Sequence, residues 1–422
     1  MRILIVTQYF WPENFRINDL ASDFANKGHE VTVLTGSPNY PEGDLYPEFA
    51  ADPGRFSKYQ SVKILRIAHV LRGQSKVRLM LNYLTFFINA SLTGAWKLRR
   101  SEFDVIFVFA VSPITMAIPA IVLGRLKHIP IFLWVQDLWP ETLSAVGVVR
   151  SPFLLKMVGK MVSWIYAKCD HILIQSRAFT ASVQQYCDQA HLPGKVLYFP
   201  NWAEQVFSQT SYHKQDVLKR DDELFTILFA GNIGDAQDFP AILNAAELLK
   251  SNERIRWVIV GDGRARDWVA DEVVRRGLQS CVHLVGRFSL ETMPSFFQVA
   301  DALLVALKSD DIFSHTVPGK VQSYLAAGKA ILGMIDGEAR LVIDESGGGR
   351  SCASGASAEL AQLVMEMSAT SKEDLAQMGE RGRQYYQRHF DRETLLKKLE
   401  MYFQAAKAGQ IPLDNTVLYP HE

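Results

Sequence analysis

Short apolar runs alternate with longer segments of helical period along this whole chain, and the alternation begins afresh near residue 225. The runs in the first half are Ile3–Thr7, Val31–Thr35, Lys63–Arg66, Val105–Phe109, Ile129–Val135, His171–Gln175 and Val196–Phe199. In the second half they are Thr226–Ala230, Trp257–Val260, Val282–Val285, Ala302–Leu307 and Ala330–Gly333. Strands that read as continuous apolar runs are buried on both faces, which requires a parallel sheet covered by helices on each side. The connecting helices are legible too: Ile17, Leu20, Ala21 and Phe24 share one face, and Gly28 stands where a helix-ending glycine belongs. Phe199-Pro200-Asn201-Trp202 breaks the pattern, and the polar stretch Ser208–Glu223 reads as a linker. A chain of 422 residues also exceeds the size at which one core keeps growing. The expectation is an α/β protein of two doubly wound, Rossmann-like domains, 1–205 and 206–385, with 386–422 a C-terminal helix and tail packing back on them.

Composition narrows the function classes. Lys+Arg and Asp+Glu both number 45, so the basic excess of a nucleic-acid binder is missing. Four scattered cysteines (Cys169, Cys187, Cys281, Cys352) form no zinc-ligand or disulfide spacing and suit a reducing cytoplasm. Met1-Arg2-Ile3-Leu4-Ile5-Val6-Thr7 is too short an apolar run for a signal peptide and reads as a first strand. Two uncharged runs resemble membrane spans. In Val105–Gly124, Ser112 and Pro113 read as the cap and first residue of a helix that follows a strand. Leu79–Trp96 is bracketed by Arg72, Lys76, Arg78 and by Lys97, Arg99, Arg100, with Asn82, Thr85, Asn89 and Thr93 on one stripe. It suits either a helix lying on a membrane surface or a core helix with a solvated edge. The Phe153–Lys168 segment, mixing apolar residues with Lys156, Lys160 and Lys168, favours the membrane surface.

In open parallel sheets ligands bind beyond the carboxyl ends of the strands. In the second half those positions hold Gly231-Asn232-Ile233-Gly234, Gly261-Asp262-Gly263-Arg264, Gly286-Arg287 and a loop ending Thr316-Val317-Pro318-Gly319-Lys320. Glycine-rich turns into helices let phosphate approach backbone N–H groups. Two of them in consecutive units, with a lysine at a helix start where the dipole disfavours it, point to a diphosphate site.

Val260-Gly261-Asp262-Gly263, Gly286-Arg287, Ala300–Val305 and Tyr324-Leu325-Ala326-Ala327-Gly328-Lys329 resemble family-4 glycosyltransferases of GT-B fold. Tyr9–Glu13, Lys27–Gly36, Pro38–Gly43 and Trp134–Glu141 resemble the WbuB-like branch of that family. The resemblance covers roughly residues 1–400. It implies two domains facing across a cleft and a retaining, metal-independent transfer from a UDP-sugar, without a cofactor. The sugar would be N-acetyl-L-fucosamine or a related amino sugar. The acceptor would be a polyprenyl-diphosphate-linked saccharide of O-antigen or capsule synthesis. The enzyme would be cytoplasmic and peripheral on the inner face of the cell membrane, with no nucleic acid among its partners. The resemblance implies donor contacts from Gly231, Asn232, Gly234, Gly261, Gly263, Arg264, Arg287, His315, Thr316, Val317, Gly319, Lys320 and Ser323. Acceptor contacts fall to Phe10, Pro12, Asn39, Tyr40 and Gln136. Asp137, Glu141 and Glu13 are the candidate carboxylates, and Lys320 neutralises the leaving phosphate.

Three departures from the family's pattern stand out. His315 and Ser323 occupy positions where the family commonly has two glutamates. Asp235, Ala236, Gln237 and Asp238 follow the Gly231 turn where an Arg and a Lys are usual. Gln136-Asp137 replaces a His-Asp pair. No DxD element follows a strand, and the histidines lack ligand spacing, so no metal site is expected. Two other functions also fit: a UDP-sugar epimerase, and a catalytically silent sugar-nucleotide-binding subunit.

Overall fold

The alternation resolves into two parallel sheets. A computed structural model of the protein describes residues 1–145, 149, 151–188, 194–208 and 213–412. Part of the expected linker, 209–212, and the tail beyond 412 lie outside them. Two compact units emerge: Met1–Phe199 together with the chain from Leu396 onward, and Pro200–Leu395. The chain thus leaves the first unit at Phe199 and re-enters it within the helix Arg392–Lys407.

The first unit holds strands β1 (Arg2–Val6), β2 (Glu30–Gly36), β3 (Lys58–Tyr59), β4 (Val62–Ile67), β5 (Val105–Ala110), β6 (Ile131–Val135), β7 (His171–Ile174) and β8 (Val196–Tyr198). Their order is β3-β4-β2-β1-β5-β6-β7-β8, parallel except for the β3–β4 hairpin. Register is set by pairs such as Ile3 with Val31 and Val105. Strand order reverses direction between β1 and β5, which makes their carboxyl ends the expected ligand crevice. Leu4, Val6, Ile106, Val108 and Leu133 pack on Ala120, Ile121, Val162 and Ile165 of two covering helices. On the other side Phe403 meets the rings of Phe24, Phe107 and Phe132 at 5.7, 5.7 and 5.0 Å.

The second unit holds β9 (Phe225–Ala230), β10 (Ile255–Val260), β11 (Val282–Gly286), β12 (Ala302–Ala306), β13 (Ala330–Met334) and β14 (Gly349–Cys352). The order β11-β10-β9-β12-β13-β14 is parallel throughout, with its reversal between β9 and β12. Ile227 and Phe229 serve one core while Leu228 and Ala230 serve another, which is why β9 reads as an unbroken apolar run.

Two local expectations need correction. Ser112 does not cap a helix beginning at Pro113: a single turn, Ile114–Met116, comes first and the helix runs Ala117–Lys127. The Ser112 hydroxyl donates instead to Asp137. Most of the polar stripe of the Leu79–Trp96 segment is also not a solvated edge: Asn82, Thr85 and Asn89 lie on the helix Lys76–Asn89 and anchor that helix to its own unit, whereas Thr93, in the turns that follow, is exposed. Asn82 is fully buried, accepts from Gln8 Nε2 at 2.6 Å and donates to Val70 O at 2.7 Å. Thr85 Oγ1 accepts from Val70 N at 3.0 Å, and Asn89 donates to Ala68 O at 2.8 Å. Phe86 enters the core, but other apolar residues are left outside: Val77, Met80 and, in the following turns, Leu92 and Trp96 are all more than 60% exposed. No helix among the described residues is long and apolar enough to cross a membrane.

Candidate functional site

In the second unit the turns after β9, β10 and β12 converge beside the point where strand order reverses. Gly231 ends β9 at φ +132°, and a Cβ there would lie 2.6 Å from Lys320 Cε. Gly261 ends β10 at φ +148°, and its Cβ would fall 1.9 Å from Gly231 O. Only glycine permits these two turns to close on each other and on the lysine. Backbone bonds then lock them: Gly231 N donates to Val260 O (2.9 Å), Gly261 N to Gly286 O (2.8 Å), Ile233 N to Asp262 O (2.8 Å) and Ala265 N to Ile233 O (3.0 Å). Gly234 N donates to Gln237 Oε1 at 3.1 Å. The expected cradle of free N–H groups at Gly231 and Gly234 is therefore largely committed to holding the turns.

What the turns hold is Lys320. It sits in the first turn of the helix Gly319–Ala326, which follows the loop leaving β12. Its Nζ lies 3.6 Å from the centre of the Phe229 ring. The same atom is shut off from water and has no hydrogen-bond partner. Burial lowers this lysine from 10.5 to about 7. An ammonium with three donors and no acceptor, at the positive end of a helix, is a costly arrangement that an anion would relieve.

The other expected donor contacts differ in how far they are already engaged. Arg264 already has a partner in Asp235 at 2.6 Å, and both are exposed. Arg287, directly after β11, is exposed and has no carboxylate partner among the described residues. His315 Nδ1 lies 2.6 Å from Asp311 O, the Thr316 hydroxyl donates to Phe313 O at 3.1 Å, and Val317 packs into the core. Asn232 and Gly263 lie against each other, Asn232 Oδ1 being 2.6 Å from the position a Gly263 Cβ would take. Ser323 donates to Gly319 O at 2.9 Å and to Glu204 Oε2 at 3.2 Å. Glu204 is a carboxylate that sequence reading missed; 119 residues separate it from Ser323, and no local pattern signals the pairing.

In the first unit the loops after β1, β2, β5 and β6 meet at the β1/β5 reversal. Glu13 is buried there, with Oε2 accepting from Phe10 N (3.1 Å) and Oε1 from Asn39 N (2.9 Å) and Tyr40 N (2.8 Å). Burial pushes Glu13 up to about 7, against those three N–H donors and the Arg66 charge. It is a staple between two loops, not an available base. Phe10, fully buried against Tyr59, and Asn39, fully buried with its amide donating to Ser37 O, are framework as well, so neither offers an acceptor-binding surface. Glu141 Oε1 accepts from Ser182 (2.6 Å) and Gln185 (3.0 Å), tying two helices. Gln136 O accepts from Gln175 at 2.8 Å. Asp137 differs: Oδ2 accepts from both N and Oγ of Ser112 at 2.8 Å, while the residue stays half-buried. Tyr40 is half-buried among Tyr9 and Phe15, each 5.2 Å away, and Pro12 is partly exposed. No group of three or more potential metal ligands occurs among the described residues.

Comparison with known proteins accounts for both units. Residues 15–202 match the model described as Glycosyltransferase Family 4, and residues 225–369 match Glycosyl transferases group 1. This chain is a glycosyltransferase. The enzyme is 23% identical over 339 residues to the Escherichia coli (strain K12) protein WcaI, named for colanic acid biosynthesis glycosyl transfer, covering 78% of this chain and 82% of WcaI. Among solved structures, the glycosyltransferase resembles Anabaena Alr3699/HepE in complex with UDP, with a TM-score of 0.68 at 14% identity, covering 96% and 100% of the two chains. It also resembles sucrose-phosphate synthase from Thermosynechococcus elongatus, with a TM-score of 0.69 at 13% identity, covering 97% and 100%. The glycosyltransferase therefore has the GT-B fold, two α/β units of Rossmann-like layout.

Proposed function

We propose that this glycosyltransferase moves a sugar from a UDP-sugar, held by the second unit, to a polyprenyl-diphosphate-linked saccharide in surface polysaccharide synthesis. The observation that carries the reading is the buried, unpartnered Lys320 ammonium at the β9/β12 reversal. A diphosphate placed there gains a desolvated cation and the open end of a helix. The same contacts strengthen as charge builds on the leaving group. In the proposed reaction the bond from the anomeric carbon to the diphosphate oxygen breaks, and the acceptor hydroxyl oxygen bonds to that carbon with retention. The hydroxyl proton passes to the departing phosphate or to Asp137. N-acetyl-L-fucosamine and related amino sugars are the first donors to test. UDP in the Anabaena relative and the colanic acid role named for WcaI support the donor class and the pathway type.

The outward apolar face supports a peripheral station on a membrane. The helix Lys76–Asn89 turns its amides inward and leaves Val77 and Met80 outward, as Leu92 and Trp96 are in the turns that follow, an exposed apolar surface that an apolar cover would stabilise. Phe153, 71% exposed, is a further outward apolar residue, on the helix Pro152–Lys168. Lys76, Arg78, Lys97, Arg99, Arg100, Lys156 and Lys160 supply the positive charge that anionic headgroups attract.

Radiolabel transfer from a panel of UDP-sugars to a lipid-linked acceptor tests the reading. One donor is expected to be used, and Lys320→Ala should lower kcat/KM by about 100-fold or more, the loss of an oxyanion-stabilising group. Folded protein that transfers nothing from any donor would overturn it.

A further inference from the structure

In the first unit a second cation is left without an anion. Arg66 acts on the Glu13 carboxylate and donates from its two terminal nitrogens to Gly36 O, at 2.7 Å, and to Trp11 O. Arg72 has no ion pair among the described residues, although it is only half-exposed. Its backbone is fixed by a 3.1 Å bond from Arg72 N to Asn39 Oδ1, and Asn39 is itself held by Glu13. Its guanidinium lies 5.2 Å from the centre of the Tyr40 ring, in the aromatic group formed with Tyr9 and Phe15. The Tyr9 hydroxyl is shut off from water, and the Arg72 guanidinium is the charged group that reaches it. Tyr83, from the helix Lys76–Asn89, is near enough that the Arg72 charge acts on its phenol as it does on that of Tyr9. Burial raises both phenols, so each stays a neutral O–H donor. The Asp137 charge also acts on Tyr83, which keeps the candidate carboxylate in the same neighbourhood.

We propose that Arg72, flanked by the Tyr9 and Tyr83 hydroxyls, binds the phosphate ester through which the acceptor saccharide is attached to its lipid. This deepens the acceptor reading given above and rests on it. The chemistry fits a phosphate: a planar guanidinium stacked on an aromatic ring presents a rigid fork, and neutral hydroxyls donate to the remaining oxygens. Place also fits. Arg72 stands three residues before Ser75, the cap of the helix whose apolar residues face outward, so a headgroup-level phosphate would reach it while the lipid chain meets Met80 and Trp96.

The test uses the full-length enzyme and Arg72→Met, Arg72→Lys and Tyr83→Phe, with folding checked by UDP binding. Arg72→Met should raise KM for the polyprenyl-diphosphate-linked acceptor by about 10- to 100-fold, the worth of a hydrogen bond to a charged group. KM for the UDP-sugar should be unchanged. Arg72→Lys should recover part of the loss, and Tyr83→Phe should cost about threefold to tenfold. With UDP saturating the donor site, inorganic pyrophosphate should protect the wild type against thermal unfolding but not Arg72→Met. Binding to phosphatidylethanolamine–phosphatidylglycerol vesicles should be the same for both. An unchanged acceptor KM and unchanged pyrophosphate protection in Arg72→Met overturn the proposal. So does a loss of vesicle binding that matches the loss of activity, which would make the site one for bulk lipid headgroups. Failure of the wild type to transfer any sugar sinks the parent reading instead, and the pyrophosphate arm still reports on the site.

Discussion

Lys320→Met should make the enzyme more stable and leave it unable to hold its donor. The side chain is nearly isosteric with lysine, so the change removes the charge and little packing. Lowering a lysine from 10.5 to about 7 disfavours its charged form by about 5 kcal/mol. The Phe229 ring lies 3.6 Å from Nζ and faces the charge with its π cloud. The gain on substitution below pH 7 is therefore about 5 kcal/mol, or about 10–20 °C in the unfolding of a unit this size. The gain should depend on pH. Below pH 7 the lysine is charged in both states and the penalty is fully present. Between 7 and 10.5 the unfolded chain holds a proton that the folded chain lacks, so wild-type stability rises with pH and the gap to the mutant closes. Urea unfolding at pH 6.5 and pH 9, followed by calorimetric titration with UDP, reads both effects. A Lys320→Met enzyme that is less stable than the wild type, or that binds UDP within threefold of it, would refute the reasoning.

The same lysine makes UDP affinity pH-dependent: binding should take up a proton above pH 7, so affinity weakens about tenfold per unit from pH 7.5 to 9, measured by titration in buffers of different ionisation enthalpy. Met80→Glu with Trp96→Glu should abolish sedimentation with anionic vesicles while leaving UDP binding intact, since both residues are more than 60% exposed and pack on little within the chain. Asp137→Asn should lower kcat by about 10- to 100-fold with little change in the UDP-sugar KM, checked by steady-state kinetics; a stability loss without a kinetic one would reduce it to the tie it makes with Ser112.

Much of this was legible in the sequence because burial on both faces leaves an unmistakable apolar run. Ile3–Val6 and Phe225–Ala230 could be nothing but central strands. What escaped notice was β14, whose Gly-Arg-Ser-Cys carries no apolar run because it is an edge strand, and the two-residue β3. Periodicity showed that Asn82, Thr85 and Asn89 share a face, but a period has no sign. Whether that face looks in or out is decided by the unpaired backbone of Ala68 and Val70, which only the fold brings near. At the candidate site, the glycines and Lys320 could be named from their places after strands. The burial of the ammonium could not, because it follows from Phe229 and two turns closing on one atom. Glu13 looked like a catalytic carboxylate for a related reason: sequence shows the charge but not the three N–H groups that consume it.

The helix Arg392–Lys407 has a consequence for biosynthesis. Because Phe403 closes over Phe24, Phe107 and Phe132, the first unit lacks part of its core until residue 403 has left the ribosome. The second unit, though made later, is complete in one uninterrupted stretch and can fold first. The first unit is thereby the last to mature, and a chain cut short before residue 392 would expose those aromatic rings to the cell's quality control rather than to substrate.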